Sequence, residues 1–261
     1  MDYQTLLFDV AGGVATITLH RPDEANAMNL AMTKDLMAAA IRCDGDPAIR
    51  AVLITGSGRM FSAGGDLKEF AQVEDTGALL KQMTTYLHAT ISRLARMDAP
   101  VVIAVNGTAA GAGFSLAASG DYVIAGERAR FTSAYTAAAL SPDGSSTFFV
   151  PRSVGRRRAL ELMLTNRVLS AEEAAEWQLI NRVVPDADLL READEVAAHL
   201  ASGPTLAFGR VKRMVLGSFS ESLETQMEWE SRNIADMAGT ADTAEGIAAF
   251  VEKRRPIFKG E

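Results

Sequence analysis

"APVVIAVNGTAAGAGFSLAASGDYVIAGERARF", residues 99–131, decides how the chain is read. Pro100 resets the backbone and "VVIAVNG" reads as a strand. "GTAAGAG" follows with small side chains only, and "GFSLAASG" reads as a short apolar helix closed by Gly120. "DYVIAGERARFTS" is then strand, turn, strand. The same unit of strand, glycine turn and helix recurs upstream. "VATITLHRP" alternates across Val14 to Leu19 and stops at Pro22. "NAMNLAMTKDLMAAAIRC" reads as a helix, with Asn29 as a possible N-cap and Leu30, Leu36, Met37, Ala40 and Ile41 as its apolar stripe. "IRAVLITGSG" is a buried strand from Ile49 to Thr55, ended by Gly56 and Gly58. "LLKQMTTYLHATISRLARM" is a long amphipathic helix. Repetition of this unit predicts an α/β chain whose helices cover its strands.

The second half changes character. "GRRRALELMLTN" reads as a helix. "SAEEAAEW" opens with Ser170 and carries Glu173 three residues on, a capping box. "LINRVV" is a short strand, and beyond Pro185 four helices are expected: Asp188 to Leu200, Pro204 to Leu216, Glu221 to Met237 and Thr243 to Arg255. A boundary is placed near residue 200, between a core of residues 1–200 and a helical layer of residues 201–261. The apolar stripes of that layer (Phe208, Val211, Met214, Val215, Met227, Ile234) need a surface to cover, in the same subunit or a neighbour.

Composition narrows the function classes. The chain has 261 residues, 48% of them hydrophobic, which is enough for a substantial core. Its net charge of -7 makes nucleic acid a poor partner. Arg156–Arg158 and Lys253–Arg255 are short basic clusters, either solvated helix ends or contacts to an anionic ligand. The single cysteine, Cys43, excludes an intrachain disulfide framework. "MDYQTLLFDV" does not have the pattern of a signal peptide, and no apolar run approaches 18 residues. A soluble, cytoplasmic protein without a membrane partner is expected.

Two turns attract chemical interest. "FSAGGDLKEF" places Gly64-Gly65 before Asp66, and "NGTAAGAGFSLA" leads from a strand into a helix. Small residues allow a ligand to approach the backbone, and amides at a helix start are unpaired. Two such amides from two turns would grip one carbonyl oxygen and stabilise an enolate or tetrahedral oxyanion. Equally, these glycines serve tight turns and helix packing. "GTAAGAG" does not match a dinucleotide fingerprint, and "SGRMFSAGG" lacks the G-K-S/T of a P-loop. His20, His88 and His199 are far apart and no HExxH occurs, so no catalytic metal is expected. "GFSLA" is not G-x-S-x-G, so Ser115 has no claim as a hydrolase nucleophile.

"HRPDEANAMN", "VLITGSGRMFSAGGDLKEF", the 99–131 segment, "LSAEEAAEWQLINRVVP" and "EGIAAFVEKRRPIFKG" together resemble the enoyl-CoA hydratase/isomerase (crotonase) family over nearly the whole chain. The resemblance implies a crotonase-like spiral of repeated β-β-α units. It also implies a helical C-terminal region that makes trimer contacts, often in a dimer of trimers. The implied substrate is an acyl-CoA thioester, so coenzyme A arrives with the substrate and no separate cofactor is needed. By this likeness the thioester oxygen sits between the amides of Gly65 and Ala112. CoA contacts fall to Ala25, Ala27, Ala63, Asp66, Leu67 and Lys68, with Lys253 as a further phosphate contact. Asp66 is also read as a helix cap.

The family's hydratases place two glutamates where this chain has Ser115 and Tyr135. Water addition needs one proton removed from water and one delivered to carbon, and neither a serine nor a tyrosine does this readily near neutrality. Ser115 is then a small spacer or a proton shuttle, and Tyr135 a pocket wall or a hydroxyl donor. Other members place their acid eight residues further on, at Asp143. "NGTAAGAGFSLA", "LSPDGSS" and "ETQMEWE" most resemble the ring-1,2-epoxyphenylacetyl-CoA isomerase and enoyl-CoA isomerase branch, which points to phenylacetate catabolism. Asp143 is read as the acid/base of such an isomerase, or as no more than the centre of a Pro-Asp-Gly turn. Sequence proximity nominates Phe61, Phe114, Leu140, Phe148 or Phe149 as an apolar lining for it. A non-standard hydratase, an acyl-CoA decarboxylase and a non-catalytic acyl-CoA binder are the alternatives.

Overall fold

The computed structural model describes residues 3–261. A hairpin of β1 (Leu6–Ala11) and β2 (Val14–Leu19) leads through α1 (Leu30–Gly45) into three strand pairs. The first pair is β3 (Ala51–Gly56) and β4 (Met60–Ser62), followed by α2 (Leu67–Phe70) and α3 (Thr76–Arg96). The second is β5 (Val101–Val105) and β6 (Thr108–Ala110), followed by α4 (Ala112–Ala118). The third is β7 (Tyr122–Gly126) and β8 (Arg130–Thr132), followed by α5 (Ser146–Thr165). β9 (Leu169–Ser170), α6 (Ala171–Glu176) and β10 (Arg182–Val184) complete the strands, and α7 (Leu189–Ala201), α8 (Thr205–Gly217), α9 (Leu223–Ala238) and α10 (Ala241–Glu252) follow.

Each pair divides its strands between two sheets. The first members join a six-stranded sheet ordered β1-β2-β3-β5-β7-β10, and the second members a four-stranded sheet ordered β4-β6-β8-β9. From β2 to β10 the large sheet is parallel. This is the expected spiral of β-β-α units with a helical C-terminal region. β3 and β5 are buried along their whole length, as a parallel sheet covered on both faces requires. One face (Val52, Ile54, Ile103, Val105) joins the main core with Met32, Leu36 and Leu87. The other (Leu53, Val102, Ala104, Ile124) packs under Leu189, Ala193 and Ala197 of α7. No helix among the described residues is long and apolar enough to cross a membrane.

Local signals map closely onto the elements, with informative shifts. Asn29 caps α1 by accepting from the Met32 amide, and Ser170 and Glu173 form the capping box of α6. The buried stripe of α1 is Met32, Thr33, Leu36, Ala39, Ala40 and Cys43, whereas Ile41 is exposed. α5 begins nine residues before the expected "GRRR" start and breaks at Gly155. α8 is tied to the core by Lys212, whose Nζ lies 2.7 Å from Asp121 Oδ2 and donates to the carbonyls of Leu94 and Ala99.

Candidate active site

The parallel strands deliver the two glycine turns to one place. Gly64 has φ +93° and Gly111 has φ +51°. A Cβ on Gly111 would sit 3.5 Å from Gly64 Cα, and one on Gly64 only 2.8 Å from the Ala110 carbonyl oxygen. The turns are therefore in backbone contact, which no larger side chain permits. Beyond each turn lies an amide without a partner. Among the described residues, neither the Gly65 nor the Ala112 N–H donates to a protein acceptor. Ala112 is the first residue of α4, where helix amides are free by construction.

Both residues line a cavity of about 290 Å³. Its walls include Met28, Ala63, Leu67, Phe70, Leu80, Met83, Leu87, Tyr135, Ala138, Leu140 and Asp143. Asp143 is the only carboxylate among them. Its side chain is 26% exposed, so it reaches the cavity without being free in solvent. Several bonds hold it there. Tyr135 Oη donates to Asp143 Oδ1 at 2.5 Å. The Asp143 carbonyl accepts from Ser115 Oγ at 2.9 Å and from the Ser146 amide and hydroxyl. Ser115 Oγ also lies 2.8 Å from Tyr135 Oη. Ser115, Tyr135 and Asp143 thus form one hydrogen-bonded cluster.

The Tyr135 phenol is raised above its ordinary pKa, first by burial and then by the adjacent Asp143 carboxylate. It stays protonated near neutrality and serves as a donor. Ser115 is fully buried, and a Cβ on Gly144 (φ +57°) would lie 2.9 Å from its Cβ. The turn that carries Asp143 therefore occupies the space that a longer side chain at position 115 would need.

Several nominated residues stand elsewhere. Phe61 and Phe114 are wholly buried in the main core and do not line the cavity. Phe148 and Phe149 pack edge to face on α5 and line a neighbouring cleft. Adjacency in sequence misplaced them because β4 turns Phe61, α4 turns Phe114 and α5 turns Phe148 and Phe149 away from the cavity. Leu140 does line it. Ala63 and Leu67 are exposed at its rim, and Lys68 is exposed on the adjoining turn of α2. Ala25 adopts a left-handed conformation (φ 53°) and its carbonyl accepts from the Ala63 amide, while Ala27 is buried beside it.

Asp66 is committed to structure. It caps α2 through the Lys68 and Glu69 amides and pairs with Arg21 at 2.9 Å. Burial raises its carboxyl, but the Arg21 hydrogen bond and the two amides outweigh this and hold it below the usual range. Lys253 ends α10 and does not line the cavity of its own chain. Sequence reasoning missed Phe70, Leu80, Met83 and Leu87. The amphipathic stripe of α3 was their signal, but nothing in it showed which helix face meets the glycine turns. His88 was also missed: its Nε2 lies 3.8 Å from Asp143 Oδ2.

Comparison with known proteins agrees with this geometry. A family model described as "Enoyl-CoA hydratase/isomerase" matches residues 9–261. The chain is 40% identical to the 1,2-epoxyphenylacetyl-CoA isomerase of Escherichia coli K12, over 98% of each chain. It is 41% identical to a Rhodobacter capsulatus protein named "Probable enoyl-CoA hydratase", over the full length of both. Among solved structures, enoyl-CoA hydratase from Bacillus anthracis superposes with a TM-score of 0.93 at 33% identity, covering 99% of this chain and 100% of that one. The chain belongs to the enoyl-CoA hydratase/isomerase family and is an enzyme of that type.

Proposed function

We propose that the protein is an acyl-CoA isomerase that works through one carboxylate. The observation that carries this reading is that, among the described residues, Asp143 is the only carboxylate lining the cavity that also presents the free amides of Gly65 and Ala112. A thioester carbonyl held by those amides acidifies its α-carbon. Asp143 removes a proton from C2 of a 3-enoyl-CoA, and the electron pair moves into the thioester to form the enolate. The same carboxyl returns the proton at C4, leaving the 2-enoyl-CoA. No second acid or base is required, and a lost oxyanion donor of this kind is worth about 3–4 kcal/mol. Tyr135 and Ser115 act as positioning residues that hold the carboxylate. A ring-epoxide acyl-CoA is the second substrate class that fits, because its rearrangement also begins from a polarised thioester. Ala63 and Leu67 at the cavity rim, with Ala25 and Ala27 behind Ala63 and Lys68 beside Leu67, are the CoA contacts in this reading, and Lys253 serves the site of a neighbouring subunit.

One observation favours a second reading, a hydratase with a non-standard site. Ser115 and Tyr135 stand at the two hydratase glutamate positions and are hydrogen bonded to each other. Asp143 would then activate a water held by the Tyr135 hydroxyl. The protonated state of Tyr135 leaves Asp143 as the base that lines the cavity in either reading.

The oligomer belongs to the same proposal. Val215, Phe219, Leu223, Ile234, Phe250 and Val251 of the region beyond residue 200 are each at least 60% exposed. So large an apolar surface supports a homotrimer or dimer of trimers, with residues 201–261 as the oligomerisation region. Sedimentation at a chain mass of 27.8 kDa would expose a monomer.

A substrate panel tests the function. Wild type converts 3-enoyl-CoA to 2-enoyl-CoA, and Asp143→Asn does so at least a hundredfold more slowly. Equal rates would overturn the role of Asp143. Faster formation of 3-hydroxyacyl-CoA from 2-enoyl-CoA would establish the hydratase. Turnover of malonyl-type thioesters alone would establish a decarboxylase, and binding without turnover a non-catalytic binder.

A further inference from the structure

We propose that His88 is a positioning residue for Asp143: its neutral ring holds the Asp143–Gly144 turn, and its protonation draws the carboxylate away from the substrate. The inference rests on the reading of Asp143 as the acid/base. His88 lies on α3 one residue beyond Leu87, a wall of the cavity, but it faces the neighbouring cleft and its side chain is 53% exposed. The Gly144 amide donates to His88 Nε2 at 3.2 Å. A backbone N–H only donates, so Nε2 presents its lone pair and the neutral ring carries its proton on Nδ1. Asp143 Oδ2 lies 3.8 Å from that same nitrogen, while Oδ1 is held by Tyr135.

The turn therefore sits between two anchors, and one of them titrates. Protonation places a hydrogen on Nε2, where it opposes the Gly144 N–H and attracts Oδ2. A charge-assisted contact closes toward roughly 2.7–2.9 Å. That contact releases Gly144 and engages the second carboxylate oxygen, so Asp143 is both a weaker base and further from carbon. Asp143 is the charged group beside His88, and Arg96 on its own helix and Arg210 and Arg213 on α8 line the same cleft. Arg213 is itself paired with Asp98. α9 contributes Trp229 and Asn233, and α5 contributes Phe148 and Phe149, all uncharged. Activity is present while His88 is neutral and is lost as pH falls through its titration.

The chain has only three histidines, so ¹⁵N-histidine labelling of the whole protein resolves them. The signal lost in His88→Gln is expected to show the Nδ1–H tautomer above its titration. Its midpoint is expected to move in Asp143→Asn. An Nε2–H tautomer, or an unmoved midpoint, overturns the assignment whether or not any thioester is turned over. Kinetics supply the second readout. Wild-type kcat on 3-enoyl-CoA is expected to fall on the acid side as His88 gains its proton. His88→Leu, without an acceptor, is expected to lose roughly tenfold in kcat at pH 8. His88→Gln, whose amide oxygen accepts from Gly144 but does not titrate, is expected to recover part of that loss and to lack this acid limb. A limb retained in His88→Gln overturns the proposal. Absence of turnover in wild type, with the tautomer and the coupling as expected, would overturn only the isomerase reading.

Discussion

Replacing Gly64 by alanine tests the oxyanion site without touching any group that moves a proton. The added Cβ would meet the Ala110 carbonyl oxygen at 2.8 Å, Gly111 Cα at 3.2 Å and the Ala110 carbonyl carbon at 3.3 Å. All three are backbone atoms, so no rotamer change relieves the clash. Carbon contacts settle at about 3.5–4.0 Å, so the two turns must separate by roughly half an ångström. Gly64 also has φ +93°, which an alanine adopts only with strain of about 1–3 kcal/mol. Oxyanion donors act at about 2.7–3.1 Å, so a shift of that size removes the Gly65 amide from hydrogen-bonding range. The expected loss is one donor, about 3–4 kcal/mol, or roughly 10²–10³ in kcat. The assay is the appearance of the conjugated thioester from 3-enoyl-CoA at saturating substrate, with circular dichroism confirming that the variant is folded. A folded Gly64→Ala protein with wild-type kcat would refute the oxyanion role of the Gly64-Gly65 turn.

Other consequences are open to simple measurement. Tyr135→Phe removes the hydroxyl donor to Asp143 Oδ1; a hydrogen bond to a charged group contributes about 1.5–3 kcal/mol. Its kcat is expected to fall roughly tenfold or more at saturating substrate, and an unchanged kcat would make Tyr135 only a wall. Lys212→Met leaves Asp121 without its cation. Because Asp121 is 30% exposed, a loss of about 3 kcal/mol is expected in urea unfolding, the low end for a broken buried pair. Glu245 is held down to about 2 by the Arg254 hydrogen bond and then by the Ile257 amide, against an ordinary value of about 4.3. A depressed carboxyl stabilises above its unfolded value and ceases to do so as pH falls through its folded one. Hydrogen-exchange protection of the Ile257 amide should therefore persist at pH 4 and disappear toward pH 2.

The fold was legible where side-chain periodicity and glycine turns coincide. The runs at β3 and β5 are apolar throughout, and each ends in a small-residue turn, so the repeat of strand, turn and helix was readable. β4 and β6 were not legible. Each has three residues and depends on its neighbour in the small sheet for its existence. Ser146–Val154 was missed as helix because Pro151 and the turn residues before it mask the pattern. At the site, Gly65, Ala112, Tyr135 and Asp143 were nominated through the family resemblance rather than by composition or periodicity, and all four line one cavity. Phe61 was misplaced because its strand β4 was itself unread, and Phe114 because a helix of known position still leaves open which face its side chain takes. His88 was invisible for a different reason. Its partner lies 55 residues away, and only the packing of α3 against the Asp143 turn joins them.

A structure with a non-reactive 3-enoyl-CoA analogue tests the central claim most directly. The thioester oxygen should lie about 2.7–3.1 Å from both the Gly65 and Ala112 amides, with the Asp143 carboxylate about 3–3.5 Å from C2 or C4. A thioester bound away from those amides, or an Asp143 carboxylate beyond about 5 Å from both carbons, too far for direct proton transfer, would contradict it.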